Sequence, residues 1–338
     1  MGAALRGDWL VAAAAAVAAP TLIAFNLPPS ATFLNQTAAM VGWGAWALML
    51  AVALPRGAAS ALGSAGTSAL LAALLLVAAS AFASPLWARL PWSLALPALG
   101  MLAAAMLVAA LASALQRSGH AEDAFAAFCV ALLIAGVAGT LIGFVQVYAP
   151  QWADGTWIAV SANGDRAVGN LRQPNHLSSL LLWAMIATVW LGEGGRLPRR
   201  LVPAVLLLLL AGVVLTASRT GMVGAALLAL WGVVDRRLSR AARVQLWLVP
   251  LAYWAFYELY AAIAHHHATV FGGEVQLQKS DISSSRFAIW SDTLSLIAAH
   301  PWAGVGFGEF NFAWSLNVFP NRPIAFFDHT HNLPLHLA

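Results

Sequence analysis

From residue 9 onward the chain alternates long apolar runs with short polar breaks. Stretches near 9–25, 38–54, 67–84, 94–115, 124–148, 175–192, 201–217, 219–234 and 244–264 carry almost no charge. A bilayer core about 30 Å thick takes roughly 20 apolar residues as helix, so each run approaches the length of a membrane span. Ala, Leu and Val follow one another within the runs, without the polar–apolar alternation of a membrane barrel strand. The pattern predicts an all-α fold: a polytopic transmembrane helix bundle of about nine spans, with the start of a tenth near residue 330.

The same pattern predicts the organisation. Residues 1–148 read as N-terminal transmembrane helices and 149–264 as further spans with a polar loop at 149–174. Residues 265–328 form one large polar loop, and 329–338 begin a helix that the sequence does not finish. Loops longer than about 15 residues are uncommon without a function. The large loop contains an amphipathic segment, Ser285–Ala299, closed by His300 and Pro301, whose Phe, Ile, Trp and Leu positions suit a helix lying at the membrane interface. Residues 1–20 resemble a secretion signal, with Arg6 ahead of an apolar core. The apolar run continues to Phe25 and many like it follow, which favours an uncleaved first span.

Arginine placement orients the bundle. With the N-terminus inside, the inner connections hold Arg6, Arg56, Arg117, Arg196, Arg199, Arg200, Arg236, Arg237, Arg240 and Arg243. The short outer loops hold Arg89, Arg166 and Arg172, with Arg219 at an outer border. Positive charge is retained on the cytoplasmic side, so 149–174 and 265–328 are expected outside. Composition agrees: 61% of the 338 residues are hydrophobic and 9% charged, against about a quarter charged in a soluble domain. The pI of 9.8 does not indicate a nucleic-acid partner, because the basic residues are scattered between apolar runs rather than gathered on one face. Cys129 stands alone in an apolar run and excludes an intramolecular disulfide.

Three places could carry chemistry. In Thr216-Ala217-Ser218-Arg219-Thr220-Gly221 an arginine sits between two apolar runs. It is either a snorkelling border arginine with Ser218 capping the next helix, or an anion site in which the guanidinium joins the free N–H groups of a helix start. Arg286 follows Ser283-Ser284-Ser285 at another expected helix start, and is either a solvated charge or a second anion ligand. Asp328-His329-Thr330-His331-Asn332 lies where the chain re-enters the membrane; it is either a polar border or the source of a general base, since histidine titrates near neutrality. His-x-His also suits a metal, but the sequence offers no convincing acidic or cysteine partner, so neither metal nor cofactor is expected. His265-His266-His267 reads as an interfacial run. The chain has no P-loop, no HExxH, no Gly-x-Ser-x-Gly and no Asp-x-Asp pair, which disfavours nucleotide-driven and zinc-hydrolytic chemistry.

Taken together, SRTG at 218–221, SRFAIWSDTLSLIAAHPWAGVGFGEFN at 285–311 and HTHNLPLH at 329–336 resemble the bacterial O-antigen ligase and polymerase superfamily. GNLRQPNHLSSLLL at 169–182 is most similar to the protein O-oligosaccharyltransferases within it. The resemblance covers most of 165–338. It implies metal-independent, inverting transfer of a preassembled glycan from undecaprenyl diphosphate to Ser or Thr of periplasmic proteins, at the outer face of the bacterial inner membrane. Arg219 and Arg286 match the family's diphosphate-binding arginines, His331 the histidine that activates the acceptor, and Gln173 a glutamine of the protein-glycosylating branch. Asn175, His176 and His329 are supporting neighbours. Lipid A core sugar (an O-antigen ligase) or another glycan (a polymerase) are the alternative acceptors. A lipid or solute transporter is the alternative from another class, since border arginines also suit translocation. Family members continue beyond the His-Asn pair through further spans, so the sequence is expected to be a C-terminally truncated fragment.

Overall fold

The computed structural model describes residues 7–28, 30–55, 64–89, 91–162, 166–278, 286–308, 310–320, 329–330 and 332–337. Among them regular structure is helical throughout. Six helices are long and apolar enough to cross a membrane: α2 (Phe33–Ala53), α3 (Ala65–Ala88), α4 (Trp92–Arg117), α5 (Ala121–Tyr148), α6 (Pro174–Glu193) and α9 (Arg240–His266). Three shorter apolar helices occupy the remaining predicted runs: α1 (Gly7–Leu22), α7 (Val202–Leu215) and α8 (Arg219–Val234). Each predicted run thus contains a helix, and the protein is a polytopic helical membrane protein. Beyond α9 lie α10 (Gly272–Gln278), α11 (Arg286–Ala299), α12 (Phe310–Leu316) and α13 (Leu333–Leu337). The chain divides into two compact units: Met1–Leu54 with Gly119–Gln278, and Pro55–Ser118 with Lys279–Ala338.

The first unit is built around α6, of which 67% of the most apolar stretch is buried, against 11% for α2. Small residues let neighbours approach it, as is usual between membrane helices. A Cβ on Gly136 of α5 would lie 2.5 Å from the Cβ of Ala184, and one on Gly212 of α7 would lie 2.6 Å from Thr140 Oγ1. One end of this unit is basic: Arg196 pairs with Glu122 (2.8 Å) and Asp123 (3.1 Å), and Glu193 accepts from the backbone N–H (2.6 Å) and hydroxyl (2.7 Å) of Ser239. In the same connection Arg237 bonds Asp235 and holds that carboxyl at about 2.

At the opposite end of this unit several helix termini have side-chain partners, as buried termini need where no water replaces a missing one. α1 contains a π-helical turn, Ala14–Ala18, and stops at Leu22. Asn35 donates to Pro20 O (2.7 Å) and Ile23 O (2.9 Å), and Asn170 donates to Leu22 O (2.7 Å). α7 is 14 residues long, about 21 Å of helix against a core of about 30 Å. The turn that ends it is nevertheless buried: Thr216 bonds back to Val213 O (2.6 Å), and Ala217 takes a left-handed φ of 48° before α8 begins.

The second unit joins the α3–α4 pair to the outer part of the large loop. Ser84 Oγ donates to Phe307 O (3.4 Å) and Trp87 Nε1 to Ala303 O (3.1 Å). The expected amphipathic helix is present as α11, but its apolar face has a different partner from the interface envisaged. Ile289 and Leu296 pack with Phe310 and Trp314 of α12 in a small core, and Trp314 Nε1 donates to the buried Asp292 (2.9 Å). Burying these side chains against each other removes them from both water and lipid, leaving Phe287 and Leu294 exposed.

Candidate functional site

The motif GNLRQPN folds as a latch over the end of the first unit. Gln146 of α5, a single amide near the end of an apolar helix, is buried and fully engaged. Its oxygen accepts from Val168 N (3.0 Å) and Gly169 N (2.8 Å), and its nitrogen donates to Ala159 O (2.6 Å) and Gly169 O (3.1 Å). Asn170 completes the latch by accepting from Ala159 N (2.9 Å). Gln173 is the N-cap of α6, its Oε1 accepting from His176 N (2.9 Å). The glutamine singled out from the sequence therefore orders the start of the most buried helix, and the His176 side chain is exposed.

From that helix start a buried hydroxyl and amide chain crosses to α8. Ser178 Oγ donates to Asn175 O (2.9 Å) and contacts Ser218 Oγ at 3.1 Å, and Ser218 Oγ donates to Asn175 Oδ1 (2.7 Å). Ser218 also accepts from Gly221 N (3.2 Å), so it is the N-cap of α8 as its type and position predict. Arg219, the first residue of α8, is thereby fixed beside the start of α6. Its Nη2 donates to Gln276 O of α10 (3.1 Å).

Arg219 and Ser218 border a cavity of about 490 Å³ between α8 and α9. Met222, Tyr253, Trp254 and Leu277 give it an apolar wall, and Glu258 also borders it. A guanidinium at the head of an apolar groove has the form required by an amphiphile with an anionic head and hydrocarbon tail. Arg166 is a neighbour that sequence reasoning missed. It donates to Thr216 O (2.9 Å) and Ala217 O (3.1 Å), closing the C-terminus of α7. Burial first, and the charge of Arg219 second, hold its guanidinium below the usual arginine range. One signal for it was available: Arg166 and Arg172 lie in a loop where the charge rule disfavours arginine.

The remaining candidates belong to the second unit. Arg286 is exposed at the first turn of α11. One turn further on, Trp290 Nε1 donates to Thr330 O (2.8 Å), tying this helix to the His-Thr-His-Asn turn. Thr330 is buried and its hydroxyl bonds Asn332 O (2.7 Å), while Asn332 Oδ1 accepts from Leu335 N (3.4 Å) at the start of α13. His329 is exposed, and His331 lies outside the described residues. The second unit therefore ties α11, which begins at Arg286, to Thr330. In the first unit, His265 pairs with Glu274 (3.1 Å).

Helices of this kind, with ordered polar termini at one end, define a multi-pass helical membrane protein. In comparison with known proteins, residues 204–338 match the O-antigen ligase family and residues 167–191 match the protein glycosylation ligase family. A general O-oligosaccharyltransferase of Acinetobacter baylyi is 26% identical over 182 residues, covering 51% of this chain. The alignment spans 32% of that relative's length. No solved structure matches the chain.

Proposed function

We propose that the protein is a glycosyltransferase that moves a preassembled glycan from undecaprenyl diphosphate to Ser or Thr of periplasmic proteins. The observation that carries this reading is Arg219, fixed by the Asn175–Ser178–Ser218 chain at the head of the apolar cavity. The lipid tail would lie along Met222 and Trp254, and the diphosphate would accept from the guanidinium and from the start of α8. In the chemical step the acceptor oxygen bonds the anomeric carbon on the face opposite the diphosphate. The bond from that carbon to the diphosphate oxygen breaks, and the electron pair leaves with the lipid diphosphate. The hydroxyl proton passes to His331, the histidine that the family resemblance assigns to acceptor activation. Arg219 offsets the charge that grows on the leaving group, the role that the family resemblance also gives Arg286.

The match of 167–191 to a protein glycosylation ligase family supports a protein acceptor, and the matched relative's name agrees. The wider match to the O-antigen ligase family supports lipid A core sugar as the second reading. The reading places the site end of the first unit in the periplasm and its arginine-rich end in the cytoplasm, in the bacterial inner membrane. Full-length protein in nanodiscs, given lipid-linked glycan and an acceptor protein, should glycosylate the acceptor, and Arg219→Ala should lower the rate at least about 100-fold. In a deletion strain, loss of the lipopolysaccharide ladder with intact periplasmic glycoproteins would reverse the choice of acceptor. Full transfer by Arg219→Ala and by His331→Ala would remove the proposal itself.

A further inference from the structure

The second unit contains a recess that the diphosphate chemistry leaves unused. It measures about 440 Å³ and lies between α3, α11, α13 and the strap 302–308, within the range of about 300–1,000 Å³ typical of small-molecule sites. Two indoles border it: Trp302, 98% exposed, and Trp87, 43% exposed. The strap beside them is main chain with little side chain. Gly304 and Gly306 have φ of 60° and 105°, which a side chain would strain, and the missing Cβ atoms let a ligand approach the amides directly. Ser80 and His336 add side-chain polar groups. Trp87 and Ser84 anchor the strap through Ala303 O and Phe307 O, so the wall is held in place.

The lining excludes several ligand classes. Among the described residues no Asp, Glu, Lys or Arg borders the recess, so the described lining offers no match to a phosphate, a carboxylate or a cation. Gly304 N, Ala303 O and Phe307 O are already bonded to His300 O, Trp87 and Ser84, so the cost of a hydrocarbon chain falls on the strap's other main-chain groups. An aromatic face beside neutral donors and acceptors matches a pyranose, which carries an apolar C–H face and a rim of hydroxyls. We propose that this recess binds a neutral sugar unit, with the Trp302 indole as its platform and the glycine strap reading its hydroxyls. That a glycan reaches this recess rests on the transfer reading above. The sugar's source is either the donor glycan or a glycan acceptor, and one experiment separates the two.

The probe is the free reducing oligosaccharide released by mild acid from the lipid-linked pool of the producing cells, added to full-length protein in nanodiscs. Saturation-transfer NMR should show transfer to pyranose ring protons. Trp302→Ala, which removes an exposed side chain and no core contact, should weaken binding about tenfold, and Trp302→Phe should recover part of it. Arg219→Ala should leave it unchanged, because the free sugar has no diphosphate. Displacement by intact lipid-linked donor identifies the donor glycan as the source; displacement by lipid A core oligosaccharide identifies an acceptor. Unchanged affinity in Trp302→Ala, or no binding to the parent protein at millimolar sugar, overturns the proposal. Sugar binding that depends on Trp302 in a protein that transfers no glycan would defeat the transfer reading and leave the recess standing.

Discussion

Replacing Ser218 by Ala removes one oxygen atom that serves two helices. Its Oγ caps α8 through Gly221 N and joins Asn175 Oδ1 and Ser178 Oγ, and the residue is 2% exposed. Loss of an N-cap costs about 1 kcal/mol. Each polar bond between membrane helices contributes about 0.6 kcal/mol on average, so the two contacts to α6 add a similar amount. The expected loss is about 2 kcal/mol, a fall of about 4–8 °C in apparent melting temperature by the scaling for large domains. Cys129 is the chain's single cysteine and is buried, so a thiol-reactive dye that fluoresces on labelling reports unfolding directly. Because membrane proteins unfold irreversibly, all variants must be heated at one scan rate. Thr220→Ala, at an exposed position in the same turn, is the control and should melt with the parent. Ser218→Asn, another strong cap, should fall between the two. If Ser218→Ala melts within a degree of Thr220→Ala, the serine does not couple α6 to α8 and the account of how Arg219 is positioned fails.

Further outcomes follow from other contacts. Gln146→Leu strands Val168 N, Gly169 N and Ala159 O inside the protein; limited proteolysis should then cut between 153 and 162 at least about ten times faster, since each lost buried partner costs about 1–3 kcal/mol. Trp290→Phe keeps the ring and removes the donor to Thr330 O; glycan transfer should fall severalfold with donor binding unchanged, and an unaltered rate would show that the turn needs no tie to α11. Arg237 and Trp231 together hold the Asp235 carboxyl at about 2, below its ordinary 3.8. That stabilisation is complete above about pH 4 and is lost as pH falls through about 2, so the parent's advantage over Asp235→Asn in denaturant, followed by tryptophan fluorescence, should be flat from pH 7 to about 4.5. A difference that grows toward low pH would contradict the pairing.

The bundle was legible because hydrophobic run length is set by the bilayer, and each of the runs from 9–25 to 244–264 contains a helix. The amphipathic helix at 285–299 was also legible, but its partner was not: Ile289 and Leu296 could equally have met lipid, and only tertiary structure supplies Phe310 and Trp314. Ser218 as a cap followed from residue type and position. Its bonds to Asn175 and Ser178 did not, because a contact across 40 residues leaves no local pattern. Gln146 was the accessible signal that went unused, as a lone amide in an apolar run requires partners. Arg166 was counted only as charge, although its place against the inside rule marked it. The pairing of the α3–α4 helices with the far loop could not be read, since each segment satisfies its own periodicity without the other.

That pairing has a consequence for biogenesis. The segment 55–118 is synthesised long before 279–338, its companion in the second unit. At about 5–20 residues per second, translation separates the two by on the order of ten seconds or more. Through that interval Ser84 and Trp87 have no Phe307 or Ala303 carbonyl to meet. The hairpin is composed to wait. Its helices are strongly apolar, with no more than 11% of either apolar stretch buried in the finished structure, so lipid is an adequate partner in the meantime. The strap that the hairpin holds can therefore assemble only once residues 302–308 have been made, after the first unit's helices have been synthesised.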